Sequence, residues 1–321
     1  SEYIVGLEHT FADEWTVGIR YIRRELESLI EDVAIDAGVI AWANDNGYAD
    51  DPVLDLYSGF HQYVLVNPGS TFTTAAVEDF GADGVIDYIE ITPDMLPYPK
   101  GDRDYDAVDL TVERQWDEKW TFSAAYTWSQ SNGNYEGVLK SENGQDDAGL
   151  TQDFDQPGLT DGSYGPTPND KEHRVKMRGA YALSDQVQVS GAVYYESGRK
   201  FGCIGNHPSD YFAWAYGAAS WYCQGELTPR GSQLKSESIT QVDLSLVYTP
   251  EWSFLNDSQM MFRVDVFNVF DGDAAVDLWE FGDIAYSDGF DGTGGDPDPD
   301  FGKPTRYQQP RYVRFGASWN F

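Results

Sequence analysis

This 321-residue chain has only two cysteines and four histidines, sets 21 basic residues against 54 acidic ones, and contains no long apolar run. Each scarcity excludes something. A helix that crosses a bilayer needs about 18 or more mostly apolar residues. Mean hydropathy is −0.50 and no such stretch exists, so none of these residues is expected to form a membrane-crossing helix. A barrel strand is untouched by that test, because it needs only alternate apolar positions over about ten residues. The formal net charge of −33 and a pI near 4.1 exclude nucleic acid as a partner, since phosphate backbones repel a polyanion. His9, His61, His173 and His207 lie scattered, without metal-ligand spacing, and neither a serine-nucleophile motif nor a phosphate-binding glycine loop is present. Carboxylates are so abundant that a pair at hydrolase distance would mean nothing. The chain is therefore expected not to be an enzyme and to require no cofactor. Its opening, Ser1-Glu2-Tyr3, shows neither an initiator methionine nor a signal peptide, so export cannot be read there.

What is present is aromatic and alternating. Aromatic residues make up 15%, with 21 Tyr and 10 Trp. In the last segment, Val313, Phe315, Ala317, Trp319 and Phe321 alternate with Arg314, Gly316, Ser318 and Asn320. Strand side chains point to opposite faces in turn, so this segment has one apolar and one polar side. The same period recurs in eight earlier blocks. Tyr3-Val5-Leu7 is followed by Trp15-Val17-Ile19-Tyr21, whose pattern runs on to about Val33. Next come Val108-Leu110-Val112, Trp120-Phe122-Ala124-Tyr126-Trp128 and Val175-Met177-Gly179-Tyr181. The last three are Val187-Val189-Gly191-Val193-Tyr195, Val242-Leu244-Leu246-Tyr248 and Met260-Phe262-Val264-Val266.

Connections between these nine expected strands alternate in length. Short ones fall at residues 12–14, 116–119, 184–186 and 251–257, and long ones at 36–102, 136–170, 201–236 and 272–305. Long loops without structure of their own are uncommon inside a soluble domain. Outer-membrane barrels do show this asymmetry, with short periplasmic turns and long extracellular loops. Charge follows the same division: 36–102 carries −11, 136–170 carries −7 and 272–305 carries −8, together −26 of the −33. Trp15, Trp116, Trp120, Trp252 and Trp319 all fall at strand ends beside short turns or at the C-terminus. That placement suits an aromatic girdle at a lipid–water boundary better than a core.

The fold class expected is all-β, an antiparallel transmembrane barrel segment, with 1–321 as part of one barrel domain. Phe321 would end on the periplasmic side and Ser1 on the outside. Nine strands with such ends cannot close alone, which makes the chain the C-terminal part of a larger barrel.

A resemblance supports this. Arg263-Val264-Asp265-Val266-Phe267-Asn268-Val269-Phe270-Asp271 resembles the penultimate strand of TonB-dependent receptors, and is followed by a last long loop and a terminal strand ending in Phe. Glu2-Tyr3-Ile4-Val5-Gly6-Leu7-Glu8 and Trp15-Thr16-Val17-Gly18-Ile19-Arg20-Tyr21 resemble the Oar-like branch. The resemblance implies a barrel of about 22 strands filled by an N-terminal plug, of which this chain supplies about nine. It also implies transport of a bulky substrate coupled to the TonB complex. The partners implied are the missing N-terminal part, outer-membrane lipid and lipopolysaccharide, and the outer-membrane assembly machinery, which would read Phe315, Trp319 and Phe321. A surface partner protein is a further candidate, in a barrel that anchors rather than transports. A secreted, soluble calcium-binding β protein is the remaining alternative.

Three sets of residues are candidate sites. Arg174, Lys176 and Arg178 form a basic stripe on the expected lumen face, with Asp109, Glu113, Asp243, Arg263 and Asp265 as further charges there. They read either as cross-strand ion pairs and plug contacts or as a polar substrate path. Asp288, Asp291, Asp296, Asp298 and Asp300 supply closely spaced oxygens among glycines, and could hold Ca²⁺ in an extracellular loop. The spacing lacks the EF-hand pattern, and a solvated acidic loop is the plainer reading. Cys203 and Cys223, if paired, close a loop of about twenty residues worth about 3 kcal/mol, which implies an oxidising, exported location; two free thiols are the other possibility. Phe201, Tyr211, Phe212, Trp214, Tyr216, Trp221 and Tyr222 in the same insertion could grip a ligand or partner, or pack as a lid.

Overall fold

A computed structural model describes residues 1–321 except 13, 59–61, 147–149, 253–257, 285–289 and 291. Its backbone is one open antiparallel sheet in which nine strands follow each other in chain order. They are Glu2–Phe11, Trp15–Leu26, Arg103–Arg114, Trp120–Gly133, His173–Ser184, Val187–Glu196, Ile239–Tyr248, Gln259–Phe267 and Tyr312–Asn320. All nine sequence blocks are therefore strands, and each pairs with its neighbour.

Register explains why the alternation matters. One continuous row runs Leu7, Ile19, Leu110, Tyr126, Val175, Tyr195 across six strands, with every member apolar or aromatic. The row beside it runs Arg20, Asp109, Thr127, Arg174, Glu196, and is polar throughout. A slip of one residue would exchange the two faces, so the pattern itself holds the register. The strands bury almost nothing: Leu7, Ile19, Leu110, Leu244 and Phe315 are all exposed on the apolar face, Phe315 at 77%.

The second strand is shorter than the sequence pattern suggests. It ends at Leu26, and Glu31–Ala34 is a separate strand that pairs with Tyr63–Val66. Leu29 and Val33 continue the alternation but turn into a different core, so local periodicity alone could not show the change of partner.

That core belongs to the long connections, which are folded rather than bare loops. The first contains the helix Asp36–Asn46, stopped by Gly47 in the left-handed conformation at φ 88°, and a second hairpin, Phe72–Ala75 with Tyr88–Ile91. Glycine adopts that backbone without the Cβ penalty other residues carry. Val33, Ile35, Val39, Tyr57, Phe80 and Ile89 form the centre, and Tyr135 and Phe154 reach in from the second insertion. The second insertion is locked to the third by charge. Arg230 donates to both oxygens of Glu142 at 2.6 and 2.7 Å, beside a Lys140–Asp153 pair at 3.0 Å, and all four side chains are buried. The Trp221 ring lies 5.1 Å from the Arg230 guanidinium and 5.7 Å from the Lys140 amine.

Candidate functional site

The polar face of the sheet gathers the charged residues singled out in the sequence. Arg174, Lys176, Arg178, Asp109, Glu113, Asp243, Arg263 and Asp265 all stand on it, as do Arg20 and Arg314. Most are paired. Arg20 binds Asp109 at 3.0 Å, and Asp109 also accepts from the Thr127 hydroxyl at 2.7 Å. Arg174 and Lys171 meet on Glu196 at 3.1 and 3.2 Å, where the Tyr194 hydroxyl also donates. Arg263 and Arg314 share Asp265 at 2.6 and 2.9 Å. Asp243 accepts from Gln241 at 2.9 Å and from the backbone N–H of Asn268 at the same distance.

Lys176, Arg178 and Glu113 differ. They are exposed and form no ion pair among the described residues. Arg178 is flanked by small side chains, Ser123 and Ala192, and Lys176 lies between Ala125 and Tyr194. In register, Glu113, Ser123, Arg178, Ala192 and Asp243 make one row across five strands. A cavity of about 560 Å³ opens over it, lined by Glu113, Arg178, Asp243, Arg263, Asp265 and Phe267. The wall thus joins neutralised ion pairs to two free cations, one of them on a floor of small side chains. Such a surface suits carboxylates or other anionic groups laid against it.

The apolar face carries the aromatic residues. Trp15, Trp120 and Trp319 stand on it close to the short-turn end, with the Trp15 and Trp120 rings 5.8 Å apart, edge to face. Trp252 packs on Phe262 at 5.9 Å, and Trp116 lies exposed in the turn after the third strand. Phe315 shares this face, and Trp319 sits 5.8 Å from the terminal Phe321 ring. A second aromatic band, Tyr21 and Trp128 in one register row and Tyr126 and Tyr195 in the next, borders the other end of the face and was not singled out in the sequence. Its signal was legible as aromatics about six to eight residues after the first row, which is the strand length a thin apolar band requires. Beyond it the face turns charged at once: Arg23 binds Asp104 at 3.1 Å and Glu25 at 2.8 Å, and also bonds Asp106.

In the insertions the cysteines are joined. Cys203 and Cys223 form a disulfide with Cα atoms 5.8 Å apart, and the fourth insertion packs on it so closely that a Cβ on Gly282 would lie 2.0 Å from Cys203 Sγ. The nearby aromatics divide. Phe201 and Trp221 are buried, whereas Tyr211 and Phe212 are exposed, with Tyr211 stacked 5.7 Å from Trp214. His207 is buried and structural: its Nδ1 accepts from Asp210 N at 2.8 Å, and its Nε2 faces Asp161 at 3.3 Å.

In the Asp-rich run, Asp288 and Asp291 lie outside the described residues. Asp298 accepts from the Trp279 indole at 3.0 Å and from Asp300 N at 2.8 Å, while Asp300 pairs with Lys303 at 2.7 Å. Among the described residues no three acidic, histidine or cysteine side chains are grouped to hold a metal ion.

The TonB-dependent transporter Oar of Myxococcus xanthus is 28% identical over the whole of this chain, which spans 28% of that relative's length. Three solved structures are similar at low identity. The siderophore receptor PiuA of Acinetobacter baumannii has a TM-score of 0.46 and 11% identity, over 99% of this chain and 28% of that one. The ferripyoverdine receptor of Pseudomonas aeruginosa has a TM-score of 0.44 and 12% identity, over 99% and 26%. The outer membrane transporter YddB of Escherichia coli has a TM-score of 0.43 and 13% identity, over 86% and 29%. A family model described as an outer membrane beta barrel domain matches residues 1–192, more than half of the 321. The chain belongs to the outer membrane beta-barrel domain family and resides in the Gram-negative outer membrane.

Proposed function

We propose that the chain is the C-terminal barrel segment of a TonB-dependent transporter, whose polar face lines the lumen and whose four insertions form the outer mouth. The observation that carries this reading is an alignment to Oar, at 28% identity, that covers the whole of this chain. The unpaired Lys176 and Arg178 support it, because a wall meant only to hold its own shape would neutralise them as it does Arg20 and Arg174. Acidic insertions repel anions from outside, so the groups that meet these two cations belong either to the rest of the same protein, a plug, or to a substrate that carries few negative charges overall. The exposed Tyr211 and Phe212 favour a second reading, a barrel that holds a partner protein at the surface.

The test is uptake in cells that express the full-length receptor. Deleting the segment that contacts TonB should abolish uptake while surface assembly stays normal. Unchanged uptake would end the transport reading, and loss of a surface-bound protein instead would favour the anchor. Phe321→Ala should lower the yield of inserted barrel before it affects function; normal yield would count against a role for the terminal strand in assembly.

A further inference from the structure

The first three insertions meet around the carboxyl groups of Glu31, Asp32 and Asp155, which form no ion pair among the described residues. Glu31, fully buried in the strand Glu31–Ala34, accepts from the backbone N–H of Thr151 in the second insertion at 2.6 Å. Its other oxygen has no hydrogen-bond partner among the described residues, and the same holds for one oxygen each of Asp32 and Asp155. Asp155 sits where the insertions join. Its carbonyl accepts from Ala34 N at 3.2 Å and from the Tyr98 hydroxyl at 3.1 Å, both in the first insertion. Its carboxyl is hydrogen-bonded to Tyr216 of the third insertion, and that hydroxyl also meets the hydroxyl of Tyr63 in the first.

The charges around this junction are nearly all of one sign. Glu31 faces Asp32 on its own strand, and Asp153 and Tyr135 on the second insertion. Asp155 faces Asp32 and Glu31, and Asp36 of the helix acts on the neighbouring Tyr63 and Tyr98. Among the described residues, Lys140 is the cation that acts on Asp155, and it is already held by Asp153, while Arg230 is held by Glu142. Burial, reinforced by this repulsion, pushes the Glu31 carboxyl up to about 7 and the Asp155 carboxyl up to about 8, and burial alone raises Asp32. A divalent cation could relieve such a cluster, but among the described residues no three of these groups are arranged to hold one. Protons are the remaining neutralising charge.

We propose that this junction is a proton-operated latch: with Glu31 and Asp155 protonated it holds the first three insertions together, and on their ionisation it releases the first insertion and opens the mouth. The direction follows from linkage. An acid whose pKa is higher in the closed than in the open arrangement binds more protons when closed, so closure is favoured in acid. That advantage is lost as pH rises toward about 7 for Glu31 and about 8 for Asp155. The latch rests on reading the insertions as the outer mouth, but its test does not depend on transport.

The experiment uses the full-length receptor in outer-membrane preparations, with nitroxide labels at Thr73→Cys and Ser209→Cys, exposed positions on the first and third insertions. Cys203 and Cys223 are joined to each other and do not take label, and any cysteine outside residues 1–321 is replaced by Ser. Pulsed electron–electron distances measured at about pH 5 and about pH 9 should change from one short, narrow distribution to a longer, broader one. The Glu31→Gln/Asp155→Asn double variant should keep the short distribution at both. A wild-type distribution that does not change with pH would overturn the latch without reference to any variant. So would a double variant that still opens, or closure at high pH driven by added calcium. Absence of uptake by the unaltered receptor, with the pH response intact, would instead count against the transport reading alone.

Discussion

The sheet and the insertions of this chain hold together by opposite means. In the sheet, nine strands expose their apolar side chains on one face and their charges on the other, and backbone pairing with register supplies the order. In the insertions, Val33, Val39, Tyr57, Phe80 and Ile89 are packed out of contact with solvent as in a soluble domain, and charges such as Arg230 are buried with their partners. The difference teaches where each part's solvent lies. Lipid solvates the apolar face, so that face needs no core, whereas the insertions stand in water and must build one.

Four substitutions would break or sharpen that contrast. The largest effect belongs to Arg230→Ala, which leaves Glu142 buried without its cation and should destabilise the insertions by about 3–5 kcal/mol. Hydrogen exchange should rise across 134–172 and 197–238 while the barrel strands stay protected; equal loosening of the sheet would erase the contrast. Leu244→Arg on the apolar face should cost about 2–4 kcal/mol of barrel stability if that position lies near the bilayer midplane. The same change at the neighbouring Ser245, on the polar face, should have a much smaller effect. Equal effects in urea titrations of the two reconstituted barrels would overturn the assignment of faces. Replacing Cys203 and Cys223 together by Ser should lower the melting of the insertions by about 3 kcal/mol, the loop-closure entropy of the bridge. Thiol reduction of the native protein should reproduce it, and no change in either would show the bridge to be idle. Smallest in stability, within about 0.5 kcal/mol, is Lys176→Ala with Arg178→Ala, because neither side chain has a partner to lose among the described residues. This pair should instead reduce uptake, and normal uptake would reassign the two cations to solubility.

The parts that were legible in sequence share a physical reason. Strand alternation is a local property with period two, so the nine strands, their order and the residues on each face could be read without knowing any contact. The disulfide was legible because Cys203 and Cys223 fall in one insertion, close enough in sequence to close a loop of about twenty residues. The Trp15, Trp120 and Trp319 row was legible because tryptophan beside a short turn is informative, whereas Tyr21, Trp128 and Tyr195 lie within strand patterns and looked like ordinary apolar positions. The insertions were opaque. Glycine, proline and aspartate in abundance suggested open loops, and nothing local shows that Phe80 packs near Tyr57 or that Phe154 of one insertion enters the core of another.

The amino-acid sequence by itself determined that this protein is a sheet with one apolar and one polar face, long acidic connections on one side only, and a single cysteine pair. Those features follow from neighbours along the chain. Only the tertiary structure decided which charges neutralise each other, and which remain exposed on the polar face. It also decided that the acidic connections fold around a core, and that Glu31, Asp32 and Asp155 converge at a junction where, among the described residues, Lys140 reaches Asp155 but is already held by Asp153. Those outcomes depend on residues more than a hundred positions apart being desolvated together, and burial, not composition, sets the charge state of a carboxyl group.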